Sequence, residues 1–164
     1  MTKRLILIFV VLVFAIISVG ATNSKSTIYE HQFIKTSYSD EIKINKLITS
    51  KEELSKFYEE YKTIIDLEHR KKLYSDSTIG FVDAVEHYDE EYFKENNLII
   101  IYLTEPSGSI RHDIKDITIK DNTIDINIAQ KSPDYGTCDM AGWLLILEVE
   151  NTVEINTINY TKTK

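Results

Sequence analysis

The sequence predicts an α+β domain: an antiparallel β-sheet, drawn mainly from the C-terminal half and packed by one main amphipathic helix. Three observations predict it. A capping signal at Ser50 opens a stretch whose apolar residues recur every three or four positions. From residue 98 the pattern switches to continuous apolar runs and two-residue alternation. The connections between those runs are short and rich in turn residues, which implies antiparallel neighbours.

Residues 1–21 stand outside this domain. Lys3 and Arg4 form a basic start, Leu5 to Val19 an uncharged apolar run, and Val19-Gly20-Ala21 a cleavage-type end. That is the layout of a signal peptide cut after Ala21. The run also approaches the ~20 apolar residues of a transmembrane helix, so an uncleaved membrane anchor is the other reading. No cysteine lies near the cut, so lipidation is not available. Both readings place the rest of the chain outside the cytoplasm, secreted or held at the outer face of the membrane.

Residues 22–45 read as an N-terminal lead-in with strands. "ATNSKST" is polar. In "IYEHQFIKTSY", Tyr29, His31 and Phe33 fall on one face of a strand and Ile28 and Ile34 on the other. "EIKIN" alternates around Ile42 and Ile44, and "KLIT" extends it.

Residues 46–164 form the main domain. Ser50 and Glu53 make the capping box, and Leu54, Phe57, Tyr58, Tyr61, Ile64 and Ile65 make the apolar stripe of the helix. A stripe at this spacing is a core face. "SDST" reads as a loop. "YDEEYFKENN" reads as a short helix capped by Asp89, with Glu90 and Glu91 at its positive end and Asn96 and Asn97 at its stop. Capping accounts for these acids better than a calcium loop does. "LIIIYL" is a strand covered on both faces. "TEPSGS" is a turn. In "IRHDIKDITIK", Ile110 and Ile114 share one parity and Ile117 and Ile119 the other, which requires a β-bulge near Lys115-Asp116. After the turn "DN", Ile124, Ile126 and Ile128 alternate with polar residues. "WLLILEVE" is a second buried strand, and "VEINTINY" the last one.

The 164 residues suit one domain. The formal charge is −7, and removing the two basic residues of segment 1–21 leaves −9. Beyond that segment the only arginines are Arg70 and Arg111. Such a surface is poorly suited to nucleic acid, and anionic lipid repels it unless it is tethered.

Candidate chemistry gathers in two loops. Cys138 is the only cysteine and Trp143 the only tryptophan. A nucleophilic thiol needs a base, for which His31, His69, His87 and His112 are candidates, none in a recognisable local signature. The neighbouring Asp139 discourages the thiolate. The plainer reading makes Cys138 a small buried residue in a loop that Trp143 anchors on the sheet. His112, Asp113, Cys138 and Asp139 are zinc-binding types without zinc-binding spacing. In "SGSIRHD", Ser107, Gly108, Ser109 and Arg111 could cradle a carboxylate or phosphate. The plainer reading has Gly108 serving the turn and His112 facing inward with Ile110 and Ile114. No catalytic constellation, cofactor motif or metal motif is recognised.

Three stretches, "YDEEYFKENNLIIIYL", "SGSIRHDI" and "SPDYGTCDMAGWLLILEVE", together resemble a group of small exported proteins of Gram-positive bacteria. That group is similar to the C-terminal domain of PrcB-type protease-complex proteins. The resemblance covers about residues 46–150. It implies an exported α+β module without known catalytic residues, whose prototype associates with and stabilises a secreted protease. The chain departs from the prototype where Ser107-Gly108-Ser109-Ile110-Arg111-His112 replaces a Gly-Gly-Tyr turn, and "GTCDMAGW" belongs to the small exported group.

The expectation is a non-catalytic extracytoplasmic module that binds another protein, such as a peptidase or an envelope component. It would touch no nucleic acid, and a membrane only through residues 1–21 if these are uncleaved. Its working surface would be the loops at 105–112 and 133–143, with Ser107, Gly108, Arg111, His112, Cys138, Asp139 and Trp143 as interaction residues. The alternative is a thiol or redox protein, or an enzyme, using Cys138.

Overall fold

The computed structural model describes residues 29–70 and 78–164. The expected signal or anchor segment, the polar lead-in and most of "SDST" lie outside the described residues. Among the described residues no helix is long and apolar enough to cross a membrane.

The domain is α+β, with a mostly antiparallel set of strands and one main helix. In chain order the elements are β1 (His31–Thr36), β2 (Asn45–Ile48), α1 (Lys51–Tyr61), α2 (Phe81–Val85), a 3-10 turn (Tyr92–Lys94), β3 (Asn96–Glu105), β4 (Arg111–Lys120), β5 (Thr123–Lys131), β6 (Ala141–Glu150) and β7 (Thr157–Thr163). They form two sheets rather than one. The first has the order β1-β6-β3-β2 and the second β4-β5-β7. The first is antiparallel throughout, whereas β7 runs parallel to β5, against the expectation of antiparallel pairing. β1, from the N-terminal 22–45 segment, pairs with β6 over its whole length and is a full member of the first sheet.

Three layers result. Leu98, Ile100 and Tyr102 of β3, with Leu144 and Ile146 of β6, face α1, α2 and the 3-10 turn. Ile99, Ile101 and Leu103, with Trp143, Leu145 and Leu147, face the second sheet, where Ile124, Ile126 and Ile128 meet them. This is why β3 and β6 are apolar at consecutive positions while β5 alternates: the first two are covered on both faces. Gly142 passes so close to its neighbours that a Cβ would overlap the Ser37 carbonyl and the Tyr102 ring.

Several local expectations hold. Ser50 Oγ accepts from the Glu53 N–H at 3.2 Å and caps α1. The Glu53 carboxylate reaches back one residue further than in a standard box, accepting from the Thr49 N–H at 2.7 Å and its hydroxyl at 2.9 Å. Ser50→Ala is expected to cost about 1 kcal/mol by urea denaturation, since one first-turn N–H loses its acceptor. Leu54, Phe57, Tyr61 and Ile65 are buried; Ile64 lies just past the helix end and is exposed. Asp89 Oδ1 accepts from the Tyr92 N–H at 2.9 Å, but the element that follows is a short 3-10 turn with Glu91 at its cap position, not an α-helix capped by Asp89. Asn96 and Asn97 open β3 rather than closing the turn. The register slips between Ile114 and Asp116, the predicted bulge. Asp121 and Asn122 both have positive φ, 50° and 59°, as a tight hairpin requires. α2 had no readable signal in the sequence.

Candidate functional site

Both candidate loops emerge from one end of the two-sheet sandwich. The first (residues 106–110) joins β3 to β4, and the second (residues 132–140) joins β5 to β6. They are fastened to each other. The Gly108 N–H donates to the Asp139 carbonyl at 2.8 Å and lies 3.3 Å from its Oδ1. Ser107 Oγ and Thr137 Oγ1 are 3.2 Å apart, the Ser109 hydroxyl donates to Thr137 Oγ1 at 2.9 Å, and the Thr137 N–H donates to Ser109 Oγ at 2.9 Å. Lys35 of β1 donates to the Gly108 carbonyl at 3.3 Å and sits 3.8 Å from Asp139 Oδ2. Hydrogen bonding with Thr137 holds the exposed Asp139 carboxyl below the usual carboxylate range. "SGS" is therefore half of a loop-to-loop tie, with its amide and hydroxyls already engaged.

Beneath the tie lies a polar cluster that the sequence reading missed. Glu105, the last residue of β3, is only 2% exposed. Its carboxylate accepts from His112 Nε2 at 2.9 Å, Gln130 Nε2 at 2.7 Å and Lys162 Nζ at 2.8 Å. Those donors come from β4, β5 and β7, so one carboxylate of the first sheet holds every strand of the second. Lys162 also donates to the Thr104 carbonyl at 2.9 Å. Burial works to raise the Glu105 pKa, but the bonds from Lys162, His112 and Gln130 outweigh it and hold the carboxyl below its ordinary value. Burial also dominates at His112 and pushes its imidazole below the ordinary histidine value despite the pull of Glu105.

The His112 side chain is fully buried. Its ring stacks on Phe33 with centroids 5.3 Å apart, and meets Trp143 edge-on, also at 5.3 Å. Arg111 donates to the carbonyls of Gly108 at 2.8 Å and Ile110 at 3.2 Å, with its guanidinium 5.3 Å from the Trp143 ring centre. Trp143 is 1% exposed and anchors the base of the second loop. His112 Nδ1 and Trp143 Nε1, on these two touching rings, are buried without a hydrogen-bond partner.

Arg111, His112 and Trp143 thus converge, as do Gly108 and Asp139. Cys138 joins neither group. Its thiol is free and exposed, which corrects the expectation of a buried thiol. The second loop is exposed from Ser132 to Met140. Tyr135 is 92% and Met140 54% exposed. Among the described residues no three His, Cys, Asp or Glu side chains are grouped to hold a metal ion. Comparison with protein-family models, curated proteins and solved structures returns no match.

Proposed function

We propose that this chain is an exported, non-catalytic module that binds another extracytoplasmic protein through the loops at 106–110 and 132–140. Residues 1–21 deliver it as a signal peptide or hold it at the membrane as an anchor. One observation carries the reading: Tyr135 and Met140 stand out in solvent on a loop whose base is fixed by Asp139, Thr137 and Trp143. Tyrosine and methionine are enriched where proteins meet. An aromatic side chain on a fixed base gives contact area at low entropic cost. The resemblance to PrcB-type domains points to a peptidase or envelope component as the partner. Arg111, Asp139 and His112 act in this reading as supports of the loops, and Tyr135 as the contact.

Tyr135→Ala is expected to weaken partner binding about tenfold or more, the size of a hot-spot loss. The free energy of unfolding should change by less than about 0.5 kcal/mol. The test is recovery of cross-linked partners from the native cell surface by the full chain and by its Tyr135→Ala form. Equal recovery of the same partners would refute the surface.

The exposure of Cys138 favours a second reading, a thiol or redox protein. The native chain should react with a thiol reagent without denaturant. If the Cys138→Ser chain recovers every partner with equal yield, thiol chemistry has no part in binding.

A further inference from the structure

We infer that the Glu105–His112 pair is a pH-sensitive latch on the two loops, closed while His112 is neutral and released when its ring takes a proton. The inference draws its biological meaning from the loop surface proposed above, but the latch can be tested without any partner.

The argument is geometric. A carboxylate can only accept, so the 2.9 Å contact with Glu105 Oε1 puts the proton of the neutral His112 ring on Nε2. Nδ1 is then the ring's single open position. It is buried and has no partner, and the polar group of the neighbouring Trp143 ring, Nε1–H, is itself a buried donor that cannot accept from it. A proton from solvent that binds Nδ1 therefore creates a buried N–H with nothing to accept it.

Charge points the same way. Within the cluster Glu105 of β3 is balanced by Lys162 of β7, and Gln130 of β5 is neutral. Arg111 of β4 already brings a positive charge to the Trp143 face. β1 offers Phe33, which is apolar, and Lys35, which is cationic and engaged with Gly108 and Asp139. The nearest other acid on β4, Asp113, is engaged with Lys131 at 2.8 Å and lies 3.7 Å from His31. A protonated His112 thus adds an excess positive charge to an enclosed site. Admitting water to the mouth relieves both penalties.

Opening there acts on the loops directly. Glu105 and His112 bracket the first loop, and Gln130 sits just before the second. Their strand ends are held together by the same carboxylate.

Trp143 is the chain's only tryptophan and reports from inside the site. The full chain is followed by tryptophan emission and amide hydrogen exchange from about pH 7.5 to about pH 5, the range in which histidine titrates. Emission is expected to move to the red while far-ultraviolet circular dichroism stays native. Exchange in segments 106–112 and 132–140, corrected for its intrinsic pH dependence, should rise by up to about tenfold per pH unit, the limit for one proton. Segment 98–103 should stay protected. The His112→Gln chain keeps an amide donor for Glu105 but has no site to titrate, and should show neither change. Constant emission and exchange across the range, or the same transition in His112→Gln, would overturn the latch. If His112→Gln fails to fold, the His112 ring-nitrogen shifts of the natural chain decide. Protonation that tracks loop exchange supports the latch, and protonation beneath loops that stay protected overturns it.

Discussion

Glu105→Ala is expected to remove about 3–5 kcal/mol of stability, because it breaks a buried charge cluster by deleting one side of it. Lys162 would be left without its counter-charge, and the donors on His112 and Gln130 without an acceptor. The loss is larger than a helix cap or a surface pair could produce, because three strands lose a shared partner at once. Lys162→Ala should cost less, since its head group is partly exposed and can recover water. Chemical denaturation monitored by circular dichroism measures both. A loss at Glu105 no greater than at Lys162 would show that the carboxylate does not join the sheets.

Trp143→Ala is expected to cost about 3–5 kcal/mol, the range for an aromatic side chain deleted from a packed interior. The ring is buried against the Arg111 guanidinium and the His112 imidazole, each 5.3 Å from its centre, so its removal takes packing from both. Trp143→Phe should cost much less. It keeps most of the volume and removes an N–H that is buried without a partner, so the gain from deleting that donor offsets part of the lost packing. Thermal unfolding followed by circular dichroism compares the two. Equal losses would mean that the volume of the ring contributes nothing at this position, and would overturn the packing account. The same comparison reports on the second loop, whose base at Ala141 and Gly142 is fixed by the strand that Trp143 anchors.

Much of the fold is legible because local chemistry dictates it. The parity conflict between Ile114 and Ile117 has one remedy, an extra residue, and the structure has it at Lys115. The run from Leu98 to Leu103 cannot have a wet face, and it has none. The two-sheet arrangement is not legible in the same way. Nothing in residues 157–163 distinguishes a strand that pairs with β6 from one that skips across to β5, because that choice belongs to packing partners far away in sequence.

The polar cluster was hidden by its context. Glu105 precedes a proline and a turn, where an acid reads as solvated. A signal did exist: Ile99, Ile101, Leu103 and Glu105 share one parity, so the acid continues an inward-facing row. Cys138 shows the opposite error. A thiol is apolar enough to suggest burial, but its neighbours Thr137 and Asp139 already fix the loop and leave it in solvent.

The crossing of β6 between two strands of the other sheet also sets a folding order. β1 has no ladder partner until β6 is made, and β5 lacks its second neighbour until β7 arrives. A chain appearing from its N-terminus can therefore complete the first sheet only once β6 is free, and the second only once β7 follows. Up to that moment the isoleucines of β5 lie beside an unpaired edge, which is a hazard for association with other unfinished chains. Closure depends on contacts between distant parts of the sequence, and such contacts form slowly. The seven-residue strand β7 supplies the second neighbour of β5, so the second sheet is closed by the strand that comes after both sheets have otherwise been laid down.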